Sequence, residues 1–376
     1  VSPWVSEQEN LSLVSTNKDR GLNNSLSYQQ RIVGLLVGGA VGDAIGLPSE
    51  GMTKERIARR WPDGLRHRFV LGYGMISDDT EHALMTAQAL IEAGDDVAVF
   101  RRRLAWKLRW WIIALPAGAG LATARACLRL WIGFSPEQSG VNSAGNGPAM
   151  RSAIIGARFW DDSERRRKFV LASTRITHAD KRAYTAALAV AEAAACSVAG
   201  QPRQIFTSQL QKFGDDAEWQ RIANRLGESL AVGSSVAEFA ASLGSASAVS
   251  GYAYHSVPVA LFAWLRHGDD FVETLQGVIQ CGGDTDTVAA IAGALSGCKV
   301  GPGGIPSSWL VGVRDWPRSL QFVERVAERV AQCRVAPPVT WLWPAVILRN
   351  LCFFLIVLFH GFRRLLPPYA NHPTKD

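Results

Sequence analysis

Three short acidic clusters carry most of the chemistry this sequence can offer. They are Gly42-Asp43-Ala44-Ile45-Gly46-Leu47-Pro48-Ser49-Glu50, Ser77-Asp78-Asp79-Thr80-Glu81 and Gly282-Gly283-Asp284-Thr285-Asp286-Thr287. The latter two each lie where a loop turns into an apolar helix. A helix N-terminus is ordinarily capped by a Ser, Thr or Asp oxygen that accepts from its free N–H groups, and one oxygen is enough. Here each turn stacks two carboxylates with hydroxyls, and adjacent carboxylates repel one another unless a cation neutralises them. Four carboxylates with hydroxyl oxygens form the oxygen-only set that suits a hard cation such as Mg²⁺ or Mn²⁺. Two such helix ends, if they converge, could hold a metal pair about 3.5–4 Å apart, the spacing of two-metal hydrolases. Plain capping is the alternative account of the same residues.

Other catalytic signatures are missing. The chain has no HExxH, GxxxxGK[ST], GxSxG or EF-hand loop. Gly118-Ala119-Gly120 is half of a dinucleotide fingerprint but follows no strand pattern, so it carries nothing by itself. The six cysteines, Cys127, Cys196, Cys281, Cys298, Cys333 and Cys352, include no CxxC pair. That spacing fits neither a zinc site nor a small disulfide framework, and buried thiols in a reducing compartment are the expectation.

The elements that must position these clusters read as helices. Gln29–Ile45, Glu81–Ala93, Ala183–Ala199, Tyr254–Arg266, Phe271–Ile279, Thr287–Leu295 and Leu320–Val330 have helical periodicity or composition. Strand candidates are few, with Arg66–Leu71 the best, and no βαβ alternation appears. An all-α fold with one core of packed helices is predicted. A polar tail over 1–27, a catalytic domain over 28–334 and a linker with a hydrophobic segment over 335–376 are the expected divisions. The tail lacks the apolar stretch of a signal peptide.

Taken in order, the GDAIGLPSE stretch, SDDT, the central Gly145-Asn146-Gly147-Pro148-Ala149-Met150-Arg151, Thr177-His178 and GGDTDTVAAIAGALSG resemble the ADP-ribosylglycohydrolase family. The resemblance runs from about Gln30 to about Cys298. It implies an all-α domain that binds two Mg²⁺ or Mn²⁺ ions and removes ADP-ribose from protein side chains or related esters. By resemblance, Ser77, Asp78 and Asp79 match the first metal-binding turn, and Asp284, Asp286 and Thr287 the second. Ser77 stands where Thr is commoner, and the hydroxyl oxygen is kept. Glu50 matches the acidic residue beside the metals, for acid–base chemistry or gating. Gly145, Asn146 and Gly147 match the loop around ADP-ribose, His178 a substrate-side histidine, and Tyr252 an aromatic for the adenosine. Read from the residues alone, His178 could equally be a satisfied core histidine and Tyr252 a core aromatic. Two rival functions stand beside the hydrolase: a two-metal nucleotide phosphohydrolase, and a non-catalytic ADP-ribose-binding or scaffold protein.

Charge and hydropathy point to partners. The net charge is +7, and Arg101 to Trp131 alone holds seven Lys and Arg with no Asp or Glu. Such a stripe suits an anionic small molecule or a membrane surface, and no nucleic-acid motif accompanies it. The expected partner is an ADP-ribosylated protein or small ADP-ribose conjugate, without nucleic acid. Trp341–Phe359 is about the length of a bilayer crossing, flanked by Trp341, Trp343, Tyr369 and Arg363-Arg364, but it holds Arg349 in its middle. A cytoplasmic protein attached to the cytoplasmic face of a membrane through residues 341–366 is expected, whether the segment spans or lies flat. A hydrophobic helix docked on the domain's own surface, or a dimer contact, is the alternative.

Overall fold

The computed structural model describes residues 26–340 and 342–365. The expected N-terminal tail lies outside them except for Leu26 and Ser27, as do Trp341 and residues 366–376. Helices make up the architecture: α1 (Tyr28–Gly46), α2 (Lys54–Arg60), α3 (Asp78–Ala93), α4 (Val97–Ile113), α5 (Leu121–Trp131), α6 (Ala153–Arg158), α7 (Ser163–Thr177), α8 (Lys181–Ala199), α9 (Arg203–Thr207), α10 (Ala217–Ala231), α11 (Val236–Ser242), α12 (Ala253–His267), α13 (Phe271–Ile279), α14 (Thr285–Val300), α15 (Ser307–Gly312), α16 (Leu320–Ala331) and α17 (Trp343–Leu365). Among the described residues the only strands are β1 (Met52–Thr53) and β2 (Gly282–Gly283), paired antiparallel. The fold is all-α.

Local capping explains where many of these helices start. Ser27 and Ser235 each complete a capping box, with Gln30 and Glu238. Asp96, Asp162, Asp180, Asp216 and Asp270 accept from the first-turn amides of their own helices.

Glycine every fourth residue along α1 sets the centre of the molecule. A Cβ on Gly34, Gly38, Gly42 or Gly46 would lie 2.2, 2.4, 2.1 or 2.4 Å from the carbonyl oxygens of Gly297, Gly293, Ala289 and Thr285 in α14. The two backbones therefore touch, closer than side chains would allow. α1 is buried on nearly every side, packing also on α16 and α3, while α14 packs on α12, α13 and α8.

Arg66–Leu71 is not a strand. Only Val70 pairs, with Tyr73, across a tight turn in which Leu71 and Gly72 take positive φ of 48° and 86°. His67 anchors this segment by its Nε2, 2.8 Å from the Trp309 carbonyl, and not by a sheet ladder. Four of the cysteines are buried as expected, whereas Cys333 is half-buried and Cys352 exposed.

The stretch after α16 is tied down. The Ala336 amide donates to the Ile91 carbonyl at 3.1 Å, and Gln88 brackets the Val339 backbone at 2.9 and 2.7 Å. α17 then lies against the domain, with Ala345, Val346, Arg349, Asn350 and Phe353 buried.

Candidate active site

The first acidic turn is held from behind by α1. Asp43, fully buried, accepts from the Ser77 amide at 3.0 and 2.9 Å, from the Thr80 amide at 3.2 Å and from the Thr80 hydroxyl at 2.5 Å. Asp43 thus satisfies the Thr80 amide of the first turn of α3 from behind. Ser77 caps α3 through the Asp79 amide at 3.2 Å and donates its hydroxyl to Asp79 Oδ2 at 3.1 Å.

The second turn arrives on a backbone that only glycine can adopt. Gly282 and Gly283 have φ of 70° and 83°, and a Cβ on Gly283 would lie 1.9 Å from the Val249 carbonyl oxygen. Pairing of β1 with β2, and the Gly51 amide donating to the Gly283 carbonyl at 2.7 Å, clip the Glu50 segment beside Asp284. Thr285 turns back to donate to the Gly46 carbonyl at 2.9 Å. Thr287 instead donates across to Asp79 Oδ2 at 3.2 Å, so the two turns are in direct contact.

Mutual repulsion couples the three clusters. Burial pushes the Asp78, Asp79 and Asp286 carboxyls well above the ordinary range. The negative charges of Asp43, Glu50 and Asp284 push Asp78 up further; those of Asp78, Asp43 and Asp284 do so at Asp79. Glu50 is the largest charge acting on Asp286. Asp284 is raised by burial against hydrogen bonds that lower it, and Asp43 is raised to about 6 by burial. Among the described residues no three His, Cys, Asp or Glu side chains are drawn in to metal-ligand spacing; the carboxylates bond to Ser77, Thr287 and Asn146. Asp79 Oδ1 is nevertheless buried with no hydrogen-bond partner, on a carboxyl that the charges of Asp78, Asp43 and Asp284 act upon. That is the environment a hard cation fits.

The glycine loop joins this cluster from the opposite side. Asn146 Nδ2 donates to Asp284 Oδ2 at 2.6 Å and to Ser256 Oγ at 3.0 Å, which fixes the loop to the second turn. Gly145 pairs with Tyr252, and the Ala253 amide donates to the Ala144 carbonyl at 2.8 Å. His178 is buried beneath the loop: a Cβ on Gly145 or Gly147 would lie 3.1 Å from its ring. Its Nδ1 bonds the Thr177 hydroxyl at 2.9 Å, and burial, helped by the Arg151 guanidinium, pushes its pKa down to about 3. The His178 ring thus lies against the glycines of the loop. Tyr252 is half-buried, donates to Glu218 at 2.9 Å and accepts from Arg182 at 3.2 Å.

Some residues at the site gave little signal in the sequence. Gly118, at φ 87°, borders the first turn: a Cβ there would lie 3.5 Å from Asp78 Oδ1. Its positive φ is what favours glycine there. Arg151 spans from His82 at 3.0 Å to Thr177 at 2.7 Å, fully buried. It ends the Gly145–Arg151 stretch that carries the resemblance, but nothing local shows that its guanidinium is buried.

Comparison with known proteins identifies relatives of the whole domain. The sequence matches the ADP-ribosylglycohydrolase family over residues 24–336. It is 29% identical to the ADP-ribosyl-[dinitrogen reductase] glycohydrolase of Rhodospirillum rubrum, covering 76% of this chain and 90% of that protein. It is 27% identical to ADP-ribosylhydrolase ARH3 of Gallus gallus, covering 74% and 88%. A solved structure described as an ADP-ribosylglycohydrolase-related protein complex superposes with a TM-score of 0.61 at 27% identity, covering 81% of this chain and 98% of that one. The match over most of the length, with all three acidic clusters inside it, shows that the chain belongs to the ADP-ribosylglycohydrolase family.

Proposed function

We propose that the protein is a divalent-metal-dependent hydrolase that releases ADP-ribose from a modified protein side chain or a related ADP-ribose conjugate, breaking the bond at the ribose anomeric carbon. The observation that carries this reading is Asp79, whose Oδ2 takes hydroxyls from both turns while its buried Oδ1 has no partner. A buried carboxylate oxygen without a donor is costly unless a cation or proton meets it.

Ser77, Asp78, Asp79, Asp284, Asp286 and Thr287 would hold two Mg²⁺ or Mn²⁺ ions, which when bound supply a grip on ribose hydroxyls and a more acidic water. The residues of the chain itself do the rest. Glu50 is exposed beside Asp78 and Asp286, placed to take a proton from water or give one to the leaving group. Departure from the anomeric carbon passes through an oxocarbenium-like state, which neighbouring carboxylates stabilise. The Gly145–Gly147 loop lets a diphosphate approach the backbone, with Asn146 fixing its distance from Asp284. Tyr252, pairing with Gly145, offers an aromatic surface for the adenine at the same edge.

The test is to incubate the protein with Arg-linked and Ser-linked ADP-ribosylated peptides, with EDTA and after return of Mg²⁺ or Mn²⁺. Free ADP-ribose should appear, stop with the chelator and return with the metal. Release of inorganic phosphate would favour a nucleotide phosphohydrolase, and ADP-ribose binding without turnover a binding protein. Full activity after exhaustive chelation refutes the metal reading.

A further inference from the structure

Two helices among the described residues are long and apolar enough to cross a bilayer, and α1 is one of them only because it is a core helix. The other is α17, whose 23 residues rise about 35 Å against a hydrocarbon layer of about 30 Å. Its inner face is fastened to the domain in a way that spanning would break. Arg349 bonds Asp315 at 2.5 Å and the Ile76 carbonyl at 2.5 Å, and Asn350 Nδ2 donates to the Ala114 carbonyl at 2.7 Å. One turn on, Phe353 is buried against Phe69, and about two turns further His360 Nε2 lies 2.6 Å from the Phe69 carbonyl. A bilayer offers no partners to replace these.

The outer face is an unbroken apolar stripe. Leu348, Leu351, Leu355, Phe359 and Phe362 follow at steps of three or four residues and are 46–66% exposed. No Asp or Glu occurs anywhere on α17. Ala114, which receives Asn350, ends α4, and α4 carries Trp106, Trp110 and Ile113 outward on one face. Leu115 and Leu121 beyond it are 63% and 65% exposed. Trp110 meets Trp131 edge-on at 5.2 Å, and Arg109 lies over Trp131 at 5.4 Å. Exposed apolar surface on this scale exceeds the scattered leucines of an ordinary monomer. Tryptophans mixed with arginines beside an apolar helix face match the headgroup level of a bilayer. Arg101 is paired with Glu137, and Arg103 and Lys107 with Glu92, yet the seven basic residues from Arg101 to Trp131 outnumber these two acids. Pairing two copies would therefore bring together two net basic surfaces, whereas anionic lipid complements them.

We propose that the protein docks flat on an anionic membrane leaflet through the outer stripe of α17 and the apolar rim at 113–121, without spanning it. Gly118, in that rim, lies against Asp78, so docking puts the candidate active site at the bilayer surface, within reach of conjugates carried there. This last step rests on the hydrolase reading, while docking itself does not.

Cys352 gives a native reporter, because it is exposed on α17 while four of the other five thiols are buried and Cys333 half-buried. The full chain, labelled there with a polarity-sensitive fluorophore, is mixed with phosphatidylcholine vesicles or with vesicles that also contain phosphatidylglycerol. It should sediment several-fold better with the anionic vesicles, with a blue-shifted label. A Leu355→Glu/Phe359→Glu double variant should stay in the supernatant and keep its rate on a soluble peptide. A chain that remains in the supernatant with both vesicles and an unmoved label overturns the proposal. So does a dimer in sedimentation velocity that the double variant dissociates. Sedimentation and label need no turnover, so a chain that docks but hydrolyses nothing would fail the hydrolase reading alone.

Discussion

Replacing Arg349 by alanine asks whether α17 belongs to the fold or only leans on it. The guanidinium bonds Asp315 at 3.1 and 2.5 Å, the Ile76 carbonyl at 2.5 Å and Glu81 at 3.3 Å, with all three charged side chains at most 4% exposed. Burial pushes the Asp315 carboxyl up, and Arg349 is the strongest influence pulling it back. In the alanine variant Asp315 keeps only the Ile76 and Trp316 amides, whereas Glu81 still has Arg318 and Trp111. The cost therefore falls mainly on one stranded buried carboxylate, about 3–5 kcal/mol. Spread over the unfolding entropy of a chain of 376 residues, this lowers Tm by about 4–6 °C. Pairing Arg349→Met with Asp315→Asn removes both charges and should recover most of the loss. Scanning calorimetry on the cycle provides the measurement. A shift below about 1 °C for Arg349→Ala, or a double variant no better than the single one, refutes the reasoning. Since Ile76 directly precedes Ser77, Arg349→Ala should also weaken divalent-metal binding at temperatures where the chain is folded. A chain cut after Val335 should be less stable still, because it also uncovers Phe69.

Asp78→Ala and Asp286→Ala should each abolish hydrolysis and lower the bound Mg²⁺ or Mn²⁺ seen by atomic emission, whereas Glu50→Gln should lose rate at nearly full metal content; equal metal loss in all three removes the distinction drawn for Glu50. Gly147→Val should weaken ADP-ribose binding in calorimetry without unfolding the chain, since its Cβ would stand 3.1 Å from His178 and 3.3 Å from Thr123 Oγ1; unchanged affinity counts against the loop. Burial raises Asp78, Asp79 and Asp286, so the folded, chelated chain keeps protons that the unfolded chain releases above about pH 4. Its stability should fall as pH rises through that window, and the gain in Tm from Mg²⁺ should grow between about pH 5 and 8; a flat gain means that no cation replaces those protons.

What the sequence revealed was what is local in it. Stacked carboxylates within one helical turn, and glycines just ahead of them, are visible at a spacing of one to four residues. The same holds for α1, α8 and α13, whose caps Ser27, Asp180 and Asp270 adjoin them, so their bounds lie within two residues of the periodic stretches. Contacts across the chain left no such trace. Asn146 meets Asp284 across 138 residues and Arg349 meets Glu81 across 268, and neither pair has a pattern to betray it. Arg349 read as a penalty within an apolar run because hydropathy counts a charge without its partner. Arg66–Leu71 read as a strand because alternation says nothing of the left-handed turn at Leu71 and Gly72.

The glycine repeat of α1 shows how the local and distant parts join. Viewed along the chain, Gly34, Gly38, Gly42 and Gly46 are small residues on one side of a buried helix. Against Gly297, Gly293, Ala289 and Thr285 they bring two backbones into contact, so the end of α1 cannot move away from the start of α14. Gly46 stands over Thr285 and Asp286, which fixes where the Leu47–Ser49 turn delivers Glu50. Asp43, one turn earlier on the same helix, holds the first turn of α3 by four hydrogen bonds. One helix thus carries the acid of the first cluster, ties down the second and abuts the third. Close packing of this kind leaves few ways to relax, so six carboxylates that repel one another are kept together by the backbone contact of α1 with α14.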